Sequence, residues 1–357
     1  MDLRKIRYVL TGLVCAAGLL GTATAQTPSV EEFYKNKQIR LIVSSEPGGG
    51  YDNYARLVAR HLGNHIPGNP SVIVQNMPGA GGLTAANNIY NVAPKDGTVI
   101  GHVQRNVPFM AIQGQQGPRF DPTKFNWLGS LNNEVNVCIS WHDSKVKTVQ
   151  DALKTELVVG GSGPNDTEVT PALLNNILGT KFKIISGYPS SSAVTLAIER
   201  GEVEGLCSSY SSIENRNAHW LRDKKINFLV QNSVRKHPDL PNVPLALEFA
   251  KSEEDRQLIE LNDARLIMGR PFMAPPDVPE DRVKALRAAF SAMVKDPNFI
   301  ADAKKQNLEL TPVDGDDVQS LLERVAKTPK GVIERMNEAQ IYKGERGRAK
   351  SAEPEKK

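Results

Sequence analysis

The stretch "SVIVQNMPGAGGLTAANNI", residues 71–89, decides how this chain is read. An apolar run, Val72 to Gln75, reads as a strand, and Leu83 onwards reads as a helix reaching about Asn91. Between them stands "NMPGAGG", residues 76–82. The first turn of a helix leaves backbone N–H groups without intrahelical acceptors, so a glycine-rich entry to a helix suits an anion. That anion is either a dinucleotide pyrophosphate or a carboxylate; as a third reading, the turn is only a connection, because glycine turns follow strands anyway.

The same order recurs on both sides. Upstream, Ile39 to Val43 is a strand ended by Glu46-Pro47-Gly48-Gly49-Gly50. Tyr54, Leu57, Val58 and Leu62 then form one apolar helix face, with Asp52 or Asn53 available as its cap. Downstream, Pro94-Lys95-Asp96-Gly97 is a turn before a third strand, Thr98 to Val103. Strand and helix thus alternate, the signature of a parallel α/β sheet. The rhythm returns further on. Leu157 to Val159 leads into Gly160–Thr167 and a helix from about Thr170; Phe182 to Ile185 leads into Gly187–Ser192; Val203 to Cys207 leads into Ser208-Ser209-Tyr210. Ligands of open α/β sheets bind beyond the carboxyl ends of strands, so two such units facing each other make a cleft. The C-terminal region is helical, with apolar faces Val283/Leu286/Phe290/Met293 and Val318/Leu321/Leu322/Val325. From Lys343 the chain has no apolar content and is expected to be disordered.

The N-terminus reads as a separate object. Arg4, Lys5 and Arg7 precede a short apolar run, Tyr8 to Leu20, and Ala23-Thr24-Ala25 is a cleavage signature. The expectation is a signal peptide cut after Ala25 and a periplasmic mature protein. Cys15 fits a lipoprotein site poorly, with Val14 before it and Gly12 at minus three. Removing Asp2 and the three basic residues lowers the net charge from +4 to +2. Basic residues are scattered rather than striped, which argues against nucleic acid. Two cysteines remain, Cys138 and Cys207, and in an oxidising compartment they are either one disulfide or two buried thiols.

Reactive chemistry finds little support. Gly79-x-Gly81-x-x-Thr84 approaches the dinucleotide fingerprint, but the third glycine is missing and Asp96 sits in a turn. Pro164 spoils Gly160-Gly161-Ser162-Gly163 as a nucleophile elbow. His61 and His65 have the spacing of a metal pair without a third ligand, and read better as helix-end histidines. The residues call for no catalytic group, no cofactor and no metal. What remains is a set of strand-end turns rich in donors.

Three stretches, "IRLIVSSEPGGGYDNYARLVARHL", "VIVQNMPGAGGLTAANNIYNVAPKDGTVIG" and "AIERGEVEG", with "RKHPDLPNVP" later, closely resemble the extracytoplasmic (Bug) receptors of tripartite tricarboxylate transporters, from about Ile39 to Val325. The resemblance implies an α/β fold: a two-domain periplasmic binding protein, type II, with its ligand cleft between the domains. It implies domain 1 over 26–130 and 265–342, domain 2 over 131–264, a signal peptide over 1–25 and a tail over 343–357, with crossovers near 127–134 and 264–271. Cys138 and Cys207 then share domain 2. In such receptors two domain 1 loops grip a carboxylate through backbone N–H groups. Here these are Gly48, Gly49, Gly50, Tyr51 and Gly79, Ala80, Gly81, Gly82. Domain 2 would select the ligand through Ser162, Asn165, Asp166, Thr167, Ser190, Ser191 and Ser208, with Arg105 and Asn106 at the end of the third strand.

Three departures stand out. Glu46 replaces a usually apolar residue and either selects a ligand amine or hydroxyl or points to solvent. Arg105 either binds a second carboxylate or forms a surface ion pair. Pro189-Ser190-Ser191 replaces a common Lys-Gly pair. The implied function is that of a monomeric receptor, not an enzyme, which hands a small organic anion to membrane permease subunits. The alternative is a ligand-sensing partner of a membrane signalling protein.

Overall fold

The computed structural model describes residues 28–163 and 165–344, together with 347–348. The expected signal peptide, residues 1–25, lies outside the described residues, as does most of the tail after Gly344. Among the described residues no helix is long and apolar enough to cross a membrane.

Among the described residues, twelve strands build two six-stranded sheets. The first holds β1 (Gln38–Val43), β2 (Ser71–Asn76), β3 (Val99–His102), β4 (Asn126–Ser130), β10 (Pro271–Ala274) and β11 (Val313–Asp314), in the order β11-β4-β10-β3-β1-β2. The second holds β5 (Asn136–Trp141), β6 (Leu157–Gly160), β7 (Phe182–Ser186), β8 (Gly205–Ser209), β9 (Ile226–Asn232) and β12 (Gly347–Arg348), in the order β12-β7-β6-β8-β5-β9. The last of these, from the tail expected to be disordered, lies parallel to Ile185 and Ser186 of β7.

The two sheets share one plan. Each holds a parallel trio, β2-β1-β3 at one edge of the first and β7-β6-β8 in the second, where β12 extends it to the edge. The next position is filled by an antiparallel strand that enters from the other half, β10 in one and β5 in the other. Both faces of each central strand are covered. Ile39, Leu41 and Val43 of β1 pack into one buried cluster while Ile42 joins another. Leu157 and Val159 of β6 face one cluster and Val158 packs on its opposite side. Strands buried on both faces read as continuous apolar runs rather than alternating ones, which is why these segments are visible in the sequence. The two C-terminal helix faces are buried as expected, over Glu280–Met293 and Gly315–Val325.

The chain leaves the first sheet after Ser130 and returns to it at Pro271. The two crossing segments run side by side. Leu131 N donates to Arg270 O at 3.1 Å, Gly269 N to Asn132 O at 3.0 Å, and Glu134 N to Leu266 O at 2.8 Å. Cys138 and Cys207 face each other across β5 and β8 and form a disulfide, both fully buried.

Two helix starts differ from the sequence expectation. The helix Gly50–His61 is capped by Gly49, not by Asp52 or Asn53. Asp52 instead sits one turn inside and reaches back to accept from Gly48 N at 2.8 Å. The helix Asp166–Leu178 begins before Thr170, because the Asn165 side chain caps it by accepting from Thr167 N at 3.0 Å.

Candidate functional site

In each sheet the chain runs from the middle strand of the parallel trio to one neighbour and then crosses back to the strand on its other side, so the order of connections reverses. This reversal lies between β1 and β3, and between β6 and β8. A crevice opens at the carboxyl ends of strands at such a point. The two crevices face each other and form a cleft of about 800 Å³. Its lining includes Gly48, Gly49, Gly50, Tyr51, Gly79, Gly81, Gly82, Arg105 and Asn106 from the first half. From the second half come Ser162, Asn165, Asp166, Thr167, Ser190, Ser191 and Ser208. Ala80 is the exception: it is exposed and is absent from the lining, with its backbone in the left-handed region at φ 46°.

The two glycine loops are locked to each other by one buried carboxylate. Asp52 is 1% exposed. Its Oδ2 accepts from Gly48 N and from Arg56 Nε, each at 2.8 Å, and its Oδ1 accepts from Asn76 Nδ2 at 2.8 Å. Asn76 Nδ2 also donates to Ser45 O at 2.9 Å. Burial pushes the Asp52 carboxyl pKa up, but Arg56, the Gly48 N–H and Asn76 together bring it below its ordinary value. The N–H groups of Gly50 and Tyr51 lie in the first helical turn and have no intrahelical acceptor. The second loop needs its glycines for backbone shape. Gly79 has φ 129° and Gly82 φ 101°; a Cβ on Gly79 would lie 2.6 Å from Thr84 Oγ1, and one on Gly82 2.9 Å from Val107 Cγ2. Non-glycine residues adopt such angles only with strain.

Arg105 resolves differently from either sequence reading. It is buried, and its Nη2 donates to Asp166 Oδ2, to Asn136 Oδ1 at 3.1 Å and to Ser209 Oγ at 3.2 Å. Arg265 Nη1 donates to the other oxygen, Asp166 Oδ1. One carboxylate from the second half therefore bridges two guanidinium groups. Burial pushes the Asp166 pKa up, but Arg105 and Arg265 outweigh it and hold the group below the usual carboxylate range. Burial likewise disfavours the charged Arg105, and Asp166 more than offsets it. Behind this bridge, Glu134 is fully buried with Arg270 Nη2 at 3.2 Å and Ser211 Oγ donating at 2.9 Å. Arg270 also lies over the rings of Tyr51 and Tyr54, at 4.8 and 5.1 Å.

Several expected contact residues have their side chains engaged within the protein. Tyr51 Oη accepts from Arg105 N at 3.0 Å. Thr167 Oγ1 accepts from Ser162 N at 2.8 Å. Ser190 caps its helix by accepting from Ala193 N at 3.2 Å. Glu46 is exposed at the cleft rim. His61 and His65 lie away from the cleft, at 2.9 and 3.1 Å from Asp302 and Asp296. Asp96 holds its turn by accepting from Thr98 N at 2.9 Å.

Sequence reading missed Arg216, Arg265 and Arg270, which also line the cleft. Arg216 had a signal. Ser212 and Arg216 are spaced i, i+4 on the helix after β8, so they share the face that follows Ser208 into the cleft.

The model of the tripartite tricarboxylate transporter family receptor matches residues 54–338. A solute-binding protein from Polaromonas, solved without ligand, superposes with a TM-score of 0.64 at 20% identity, covering 85% of this chain and 99% of that one. A Rhodopseudomonas palustris protein solved with bound malate gives 0.59 at 18% identity, covering 85% and 99%. Another from R. palustris, solved with adipate, gives 0.63 at 16% identity, covering 85% and 97%. These likenesses show the fold, a two-domain α/β solute-binding architecture. With the family match spanning most of its length, the chain belongs to the tripartite tricarboxylate transporter receptor family.

Proposed function

We propose that this chain is a periplasmic receptor that captures a small carboxylate and delivers it to the permease of a tripartite tricarboxylate transporter. The observation that carries this reading is the pair of glycine loops at helix starts, fixed to each other through Asp52 and Asn76 and open to the cleft. Each loop presents backbone N–H groups and the positive end of a helix, which suits an oxyanion without any reactive group. Relatives of the same fold hold malate and adipate, both carboxylates. We assign 26–130 with 265–342 to one domain and 131–264 to the other. The paired crossing segments, 131–134 and 266–270, serve as the hinge. Ligand binding then stabilises the closed form, with no chemical step.

The test is thermal melting of residues 26–357 against carboxylates, amino acids and sugars. A ligand at 100 times its dissociation constant stabilises by about 2.7 kcal/mol, a shift of several degrees. Shifts confined to carboxylates, abolished by Gly49→Asp, are expected. A Cβ at Gly49 meets only Glu46 O at 3.7 Å, so this change adds charge without crowding. Carboxylate binding that survives Gly49→Asp would overturn the loop assignment.

A further inference from the structure

Four arginines reach the cleft: Arg105, Arg216, Arg265 and Arg270. Three are matched by acids of the protein itself. Asp166 pairs with Arg105 and Arg265, and Glu134 with Arg270. Arg216 differs. Its Nη2 donates to Ser191 Oγ at 3.0 Å and its Nη1 to Ser192 Oγ at 3.2 Å, both neutral hydroxyls. Among the described residues no carboxylate forms an ion pair with it. Its side chain is exposed where it lines the cleft, so a ligand can reach it. Steadied by hydroxyls, in a cleft where every other arginine is matched by an acid of the protein, Arg216 is the guanidinium left accessible to an external anion.

The glycine loops and Arg216 belong to opposite halves. The loops follow β1 and β2 of the first sheet, and Arg216 ends the helix that follows β8 of the second. A ligand with one acidic group would meet one of these poles; a ligand with two would span both. We propose that Arg216, steadied by Ser191 and Ser192, is the specificity-determining residue for a second acidic group, so that the receptor selects dicarboxylates over monocarboxylates. This inference rests on the receptor reading above and adds the ligand class to it. It also moves the second-carboxylate role from Arg105, which Asp166 occupies, to Arg216.

Calorimetric titration of residues 26–357 with straight-chain α,ω-dicarboxylates, each against the monocarboxylate of the same length, tests it. The unsubstituted protein is expected to favour the dicarboxylate at the best length by about tenfold or more, the range of a hydrogen bond to a charged group. Arg216→Gln should cut dicarboxylate affinity about 10- to 100-fold and leave monocarboxylate affinity within about twofold. Arg216→Lys should retain part of the preference. An equal loss for both series, or a preference that survives Arg216→Gln, overturns the proposal. If Arg216→Gln does not fold, the paired change Ser191→Ala with Ser192→Ala takes its place, and an unaltered preference there overturns it too. The receptor reading fails separately. If no member of either series binds, both fall. If monocarboxylates bind as tightly as dicarboxylates and Gly49→Asp abolishes both, only the Arg216 assignment falls.

Discussion

Asp166→Asn is the substitution that most directly tests the architecture of the cleft. Asparagine keeps the shape of the side chain and removes its charge. Arg105 and Arg265 are 6% and 7% exposed at their side chains, and Asp166 is 19% exposed, so solvent screens the triad little. Removing one partner of a buried ion pair costs about 3–5 kcal/mol, because the remaining charge stays desolvated. Here two guanidinium groups lose one shared carboxylate, while Arg105 keeps Asn136 and Ser209 as acceptors and Arg265 keeps Asn262. A loss of about 3–5 kcal/mol is therefore expected rather than twice that. The pH dependence follows from the lowered pKa of Asp166. Its contribution is present above the unfolded value of 3.8 and is lost as pH falls through the folded value, so the variant and the parent should converge in acid. Urea unfolding of both proteins at pH 7 and at progressively lower pH measures this. A second readout is rescue: in Asp166→Ala, which removes the carboxylate and leaves its space, formate or acetate should restore stability more than in the parent, by refilling the vacated position. A variant within about 1 kcal/mol of the parent at pH 7, with no rescue, would refute the claim that this carboxylate neutralises both arginines.

Two further outcomes are expected. The Cys138–Cys207 disulfide closes a loop of 69 residues, and reducing it should cost about 4 kcal/mol in the chain-entropy account, read as a lower urea midpoint; a change below about 1 kcal/mol would count against a stabilising bridge. Asp263 is pushed up to about 7, first by burial and further by Asp166 and Glu260, against the pull of Asn262 and Arg265. A raised folded pKa means stability fully present below the unfolded value of 3.8 and lost as pH rises through about 7. Asp263→Asn should flatten that slope and stabilise the protein at pH 8 by up to about 4 kcal/mol; an unchanged slope between pH 4 and pH 8 would show that Asp263 does not carry it.

Much of the scaffold is legible in the sequence for a physical reason. β1 and β3, and β6 with most of β8, are covered on both faces, so their apolar runs are nearly continuous, interrupted in β1 only by Arg40, and end at glycine or serine. The helix faces around Leu57, Leu286 and Leu322 carry a regular period because each packs one side only. Other strands escape such a reading. β4, "NWLGS", and β10, "PFMA", are short and mix polar or proline residues into the run, and both hold their places through neighbours distant in sequence. The glycine loops are legible because positive φ at Gly79 and Gly82 admits few other residues. Their mutual lock is less so: Asp52 looks like a helix cap until the fold brings Asn76 to it.

Charge is where sequence reading reaches its limit. Arg105 and Asp166 are 61 positions apart, and Arg265 stands 99 beyond Asp166. Nothing local marks them as partners, so the sequence leaves Arg105 open between a ligand contact and a surface ion pair. In the fold it is the most thoroughly neutralised arginine of the cleft, while Arg216, unremarked in the run "SSIENRN", is the one left facing hydroxyls. Residue type shows which groups could bind an anion. Which of them are still available is decided by tertiary pairing, and a receptor's selectivity depends on the groups that remain available.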